Sequence, residues 1–149
     1  YIPALLGRLR RCNRGAAAIE MAFVASAFVA LFVGAYDFGH VAREKLRMNN
    51  AARAGTQYAL LGQVDSTNLD RIIQAVRDDA DDGALDVAAR NFCSCPGGGE
   101  VACTTSCGDG EYAPFYVEIN VQKDVPLLFE YPGVASPQTV ATTVTQRTR

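Results

Sequence analysis

Residues 16–36, AAAIEMAFVASAFVALFVGAY, carry a single ionisable side chain, Glu20. At 1.5 Å rise per residue, a run of this length makes a helix of roughly 30 Å, the hydrocarbon thickness of a bilayer. No Pro interrupts it, and helix-forming sequence continues to Leu61. The segment RLRRCNR before it is basic, and the chain beyond Asp37 turns polar. The pattern predicts a transmembrane helix over 16–36, preceded by a basic leader over 1–15 and followed by an extracytoplasmic domain over 37–149. A cleaved signal peptide is the rival reading. The run exceeds a usual h-region, holds a carboxylate, and passes into further helical sequence without a turn.

Glu20 makes the segment expensive. An acid near the middle of a membrane helix costs about 2.5–3.5 kcal/mol, less toward its ends. The apolar residues Ile19, Phe23, Val24, Phe28, Val29, Leu31, Phe32 and Val33 return about 0.3–0.6 kcal/mol each, so insertion survives. A carboxylate kept at that cost requires either water at the headgroup boundary or a cationic partner. Gly15 offers one. A cut after Gly15 makes the amine of Ala16 a new terminus, and such an amine on a neighbouring subunit can neutralise Glu20.

The residues RGAAAIEMAF resemble the processing site of type IV pilin-like proteins, where a peptidase cuts after a Gly and a Glu is fifth in the mature chain. Two more stretches, GAYDFGHVAREKLRMNNAARAGTQYAL and FCSCPGGGEVACTTSC, extend the likeness to the TadE-like pseudopilins of the tight-adherence (Tad, type IVc) pilus. The resemblance implies cleavage between Gly15 and Ala16 by a prepilin peptidase. It also implies helix-mediated association with pilin-like subunits and the pilus assembly platform in a bacterial inner membrane. Two positions depart from the family pattern. Met21 follows the Glu where an aromatic is usual, and Ser26 stands in place of a Pro, so the membrane helix is expected to lack a kink.

Charge is unevenly spread. The first fifteen residues hold four Arg and no acid, the net charge is −2, and the residues after Glu20 therefore carry −5. An acidic exposed domain argues against nucleic acid as a partner. The N-terminal arginines slightly favour a cytoplasmic N-terminus by the positive-inside rule, for a single-pass chain.

After the apolar run, Val41, Leu46, Ala51, Ala54, Tyr58 and Leu61 roughly keep helical spacing, with charges between them, so the helix is expected to continue to Leu61 and close at Gly62. Ser66, Thr67 and Asn68 offer N-caps for a second helix whose apolar stripe is Leu69, Ile72, Ile73, Val76 and Ala80. The acids Asp78, Asp79, Asp81 and Asp82 follow. They read as a frayed, solvated helix end that Gly83 terminates, with a Ca2+ site as the lesser alternative. Leu85–Cys95 and Phe115–Gln122 alternate as strands, Pro132-Gly133 marks a turn, and Gln138–Arg147 reads as a last strand. The expected fold is α+β: the long helix, one more helix, and a three- or four-stranded antiparallel sheet stapled by disulfides.

Cys93, Cys95, Cys103 and Cys107 form C-x-C-x7-C-x3-C around a glycine loop. In the cytosol four such thiols suggest a zinc site; outside it they suggest two disulfides. The membrane segment places them outside. A bridge between Cys93 and Cys95 is geometrically strained. The nested pairing, Cys93–Cys107 with Cys95–Cys103, suits a hairpin; the crossed pairing is nearly as compatible. Cys12 is left over in the basic segment. A membrane-tethered zinc or redox module remains the alternative function. His40 is the only histidine, and no nucleophile–base set or phosphate-binding glycine loop follows a strand. No catalytic residue, cofactor, resident metal or small-molecule substrate is expected.

Overall fold

In the computed structural model, residues 14–62, 69–108 and 110–148 are described. The leader up to Asn13, Cys12 and the caps Ser66, Thr67 and Asn68 lie outside them. The chain divides into two units, residues 1–39 and 40–149. Helix α1, Arg14–Leu61, has 48 residues and runs unbroken. It is rich in Ala, carries several Leu and Arg, and is free of Pro. It ends as the Gly62 N–H donates to the Tyr58 carbonyl at 3.1 Å. The helix also passes without a break through Ser26, whose hydroxyl donates to the Phe23 carbonyl at 2.8 Å.

In the second unit, helix α2 (Leu69–Ala80) and strands β1 (Asp86–Ser94), β2 (Glu100–Val101), β3 (Phe115–Val125) and β4 (Gln138–Arg147) complete the order. The four strands form one antiparallel sheet in the order β2-β1-β3-β4. The α+β expectation is met with four strands. β4 has the predicted bounds, and β3 runs three residues past the predicted end. Pro132-Gly133 is a type II turn: Gly133 has φ 82° and the Val134 N–H donates to the Tyr131 carbonyl at 3.0 Å.

The core is built from alternate residues of the sheet and one side of each helix. Val87, Val117, Ile119, Val121, Val125 and Val140 point inward from the strands, with Ile72, Val76 and Ala80 from α2. From α1 come Met48, Ala51, Ala52 and Ala59, with Gly55 among them. The stripe read from the sequence differs from this one. Val41 and Ala51 do face the core, but Leu46, Tyr58 and Leu61 are exposed. The reason is size. Apart from Met48 and Val41, α1 turns small residues to the sheet and large ones away, so a reading weighted to large apolar side chains picks the wrong side.

Gly55 shows how close that approach is. A Cβ there would lie 2.4 Å from Val76 Cγ2 and 2.9 Å from Ile119 Cδ1. Three elements meet at this one position, and one of the blocking groups is a stiff β-branched side chain.

The end of α2 also differs from expectation. It is capped, not frayed. Asp81 takes the left-handed conformation (φ 49°), its N–H donates to the Asp78 carbonyl, and the Asp82 N–H donates to the Arg77 carbonyl. This is a Schellman motif with Asp where Gly is usual. The motif turns Asp82 back toward the sheet, where Lys123 Nζ donates to Asp82 Oδ2 at 2.8 Å and to Glu44 Oε2 at 3.1 Å. Lys123 occupies an inward position on β3, in line with Val121 and Val125. A charge there is tolerated because α1 and the α2 turn each supply a carboxylate.

The hydrogen bond from Lys123 holds Asp82 below the usual carboxylate range, and the bond to Asp82 raises Lys123. The depressed Asp82 contributes stability that is complete above about pH 4 and lost as acid protonates it; the raised Lys123 contributes stability complete below about pH 10 and lost above.

Two outcomes are expected in urea unfolding of the detergent-solubilised chain. Gly55→Ala lowers stability by about 1–3 kcal/mol through overpacking, although Ala is the better helix former by about 1 kcal/mol. Lys123→Met lowers stability at neutral pH by about 1–3 kcal/mol, since it leaves two carboxylates facing each other. Between pH 5 and pH 2 it loses less stability than the parent. Equal acid sensitivity of the two proteins contradicts the clamp.

Candidate functional site

The first unit consists, among its described residues, of the N-terminal part of α1. Its apolar side chains are uncovered: Phe23 is 73 % exposed, Phe32 72 % and Leu31 68 %. A soluble helix buries such residues. This one has a mean hydropathy of 2.2 over its most apolar window, with none of that window buried, and is long and apolar enough to cross a membrane. Gly15 and Ala16 occupy its first turn, and both are exposed. The N–H groups of a first turn have no partner inside the helix, so this end opens at little cost. Glu20 lies one turn further on and is exposed. By helical spacing Ala16, Glu20, Ala27 and Gly34 share one face. Phe23, Val24 and Leu31 project from the same side, so the carboxylate stands among large, exposed apolar side chains.

The cysteine block sits at one end of the sheet in the second unit. β1 and β2 pair Cys93 with Val101 and Ser94 with Glu100. The loop between them is a tight turn: Pro96 and Gly97 occupy its centre, Gly97 has φ 74°, and the Gly98 N–H donates to the Cys95 carbonyl at 3.0 Å. Cys95 therefore lies at the hairpin tip, opposite Gly99 rather than any cysteine. The bridges are Cys93–Cys103 and Cys95–Cys107, with Cα separations of 5.1 and 5.6 Å. This is the crossed pairing, and the nested one is wrong. The nested arrangement needs a wider hairpin with Cys95 facing Cys103, and the turn at Pro96-Gly97 is too tight for that. Cys103 instead folds back onto Cys93 through a turn closed by Thr105 N–H to Ala102 carbonyl at 2.8 Å. A second small hairpin, bridged at Ser106 and Tyr112, carries Cys107 to the tip.

All four cysteines are thus consumed as disulfides. Among the described residues no group of three or more His, Cys, Asp and Glu is placed to hold a metal. Asp82 of the acidic cluster is engaged by Lys123 and by the Ala84 N–H, and Asp78 accepts from Gln74. A cleft of about 580 Å³ opens beside the Cys93–Cys103 bridge, lined by Glu111, Tyr112, Ala113, Pro114, Phe115 and Arg147.

The outer face of the sheet carries a second charged clamp. Arg90 on β1 donates to Glu118 on β3 at 2.7 Å and to Glu100 on β2, which ties three strands together. Its guanidinium lies 4.9 Å from the Phe92 ring centroid, and Phe92 stacks on Tyr116 at 5.5 Å. The bond from Arg90 holds Glu118 below the usual carboxylate range. Neither this clamp nor Lys123 was foreseen from the sequence. Lys123 does leave a trace there, as the one charge on the apolar side of the Phe115–Val125 alternation.

A family model described as TadE-like protein matches residues 15–57. Over that stretch the chain is similar to TadE-like proteins. The match begins at the proposed processing site, takes in Glu20 and the apolar run, and ends just past Gly55 and Thr56. It therefore covers most of α1 and none of the sheet or the disulfide block. TadE-like proteins are associated with the Tad pilus. No curated protein and no solved structure matches the chain.

Each disulfide closes a loop of 10 or 12 residues in separation, which in the chain-entropy model is worth about 3 kcal/mol. Thiol labelling of the unfolded, unreduced protein is expected to modify Cys12 alone, with four more thiols after reduction. The Cys95→Ser, Cys107→Ser double variant is expected to lose about 3 kcal/mol and to keep the Cys93–Cys103 bridge on peptide mapping.

Proposed function

We propose that this protein is a minor pseudopilin, a structural and assembly component of a Tad-type pilus, anchored by a single membrane pass. The observation that carries the reading is the uncovered apolar part of α1 with Glu20 in its first turns, inside the stretch that matches the TadE-like family. The N-terminus faces the cytoplasm, and the disulfide-bearing domain lies outside, where bridges persist.

The mechanism has two steps. A prepilin peptidase cuts between Gly15 and Ala16, at a helix end that opens easily. The cut removes the basic leader and places an ammonium at the positive end of the helix dipole, where a cation is disfavoured. Glu20 of a neighbouring pilin-like subunit satisfies that ammonium, and the ammonium satisfies Glu20. Each group is costly alone in a low-dielectric medium and tolerable as a pair. In the second unit, Leu46, Tyr58, Leu60 and Leu61 remain exposed on α1 and suit contact with further subunits, outside the small-residue side that serves the sheet.

Mass spectrometry of the protein from its native host is expected to find Ala16 as the N-terminal residue. Glu20→Ala is expected to insert into the membrane at least as well as the parent, because it removes an insertion cost. It is also expected to lose at least ten-fold in co-purification with pilin-like partners. Normal recruitment of Glu20→Ala overturns the pairing, and an intact leader overturns the processing step.

A further inference from the structure

Residues 126–137 join β3 to β4 without a helix or strand of their own. Loops of this length inside a compact domain usually serve a function. Leu127, Leu128, Phe129 and Tyr131 fall close together within it. Leu128 is 72 % exposed and Phe129 56 %, and the Phe129 ring meets Tyr131 edge-on at 5.2 Å. Single exposed apolar residues are common on any surface, but a cluster of this size marks a contact. The loop is also stiff. Pro126, Pro132 and Pro137 each fix φ, and the turn from Tyr131 to Val134 closes its middle. The cluster is therefore displayed at little cost in chain entropy.

The place of the loop follows from two contacts in the second unit. Gly55 of α1 lies over Ile119 of β3, and Glu44 of α1 meets Lys123. Stepping back from Gly55 to Glu44 covers about 16 Å of helix, and stepping forward from Ile119 to Lys123 covers about 13 Å of strand. α1 and β3 therefore run antiparallel. Past Lys123, β3 ends at Val125 and enters the loop. Past Glu44 in the same direction, α1 reaches His40 and then, in the same unbroken helix, the apolar run that ends at Tyr36. The exposed cluster thus lies at the end of the unit where α1 enters from the apolar run. The disulfide block lies at the opposite end of β3, where Phe115 pairs with Cys93.

We propose that Leu128, Phe129 and Tyr131 seat in the headgroup layer of the bilayer, as a second membrane contact beside α1. This contact rests on the proposed membrane pass of α1. Lipid is the occupant because that pass brings this end of the domain to the bilayer surface. The residue types suit such a layer: Leu and Phe bury apolar area there, and a Tyr ring is at home at the boundary with water. Charges of both signs surround the cluster. Arg43, Lys45 and Arg47 are exposed on α1, and Asp78, Asp79, Asp81 and Glu130 are exposed on α2, its turn and the loop. They offset one another, so apolar burial drives the contact and zwitterionic lipid suffices. One helix alone leaves the domain free to lean; a second contact fixes its tilt on the lipid surface.

The chain has no Trp, so a single introduced one reports its own surroundings. The full chain is reconstituted in phosphatidylcholine vesicles. Phe129→Trp is expected to emit to the blue and to be quenched by phosphatidylcholine brominated on its acyl chains near the headgroup. Tyr112→Trp, exposed at the disulfide end, is expected to be quenched about five-fold less, since it stands roughly 30 Å away along β3. Adding Leu128→Asp to Phe129→Trp is expected to cut the quenching about three-fold with circular dichroism unchanged. Phe23→Trp, in the apolar run, separates this contact from the membrane pass. Quenching at 23 without quenching at 129 overturns the loop contact alone. No quenching at either position overturns the membrane pass and the loop contact with it. Equal quenching at 129 and 112 overturns the proposal by leaving the loop no special place. A blue-shifted 129 that brominated lipid does not quench overturns it too, by assigning the loop to a neighbouring subunit.

Discussion

How closely α1 can approach the sheet sets the spacing of the folded domain. At Gly55 there is no room for a methyl group between α1, α2 and β3, and Ala51, Ala52 and Ala59 extend the same narrow side along the helix. Small residues at a contact bring backbones together and leave the larger neighbours, Met48, Ile72, Val76 and Ile119, to fill the space around them. Dense packing of this kind responds to a single added carbon, because interiors hold few voids to absorb it. It also decides which residues α1 presents elsewhere. With its small side committed to the core, Leu46, Tyr58, Leu60 and Leu61 can only point out.

Two cationic clamps act on this frame from opposite faces of the sheet. Lys123 reaches inward and joins α1, β3 and the turn after α2; Arg90 lies outside and joins β1, β2 and β3. They differ in worth. The Arg90 pairs are solvent-exposed and screened, so they fix register more than they add stability. The Lys123 pairs are partly buried, and Glu44 is largely enclosed, so removing the lysine leaves Glu44 with Arg47 at 3.9 Å and Asp82 without the bond that holds it. Asp81 sits upstream of the inner clamp. Its left-handed backbone turns the chain so that Asp82, rather than Asp79 or Asp78, meets the lysine.

Much of this was legible in the residues. The apolar run, the stripe of α2, the alternation of β3 and the Thr-rich β4 are local signals of period and composition, and each became the expected element. The errors share a cause: they concern which of several local options a distant contact selects. The cysteine pairing turned on where the hairpin bends, which Pro96-Gly97 decides. The buried side of α1 turned on Gly55, a residue that propensity alone counts as a defect. The acidic end of α2 looked frayed because its partner, Lys123, lies some forty residues further along the chain. Of the proposed site, Gly15, Ala16 and Glu20 were visible as a spacing. That the helix carrying them runs unbroken through Ser26 emerges only from the structure.

The position of Glu20 gives the proposed maturation a direction. Before the cut, a carboxylate placed one turn into the helix has no ammonium to meet, and the arginines of the leader belong to water and headgroups. Packing two uncut chains side by side therefore brings together two unneutralised carboxylates, which repel in a medium that screens poorly. After the cut, every chain carries one ammonium and one carboxylate four residues apart, and each can be satisfied by a neighbour displaced along the helix axis. On this reading proteolysis turns a mutually repulsive segment into a self-complementary one. Assembly then follows processing for electrostatic reasons, without a separate signal to order the two.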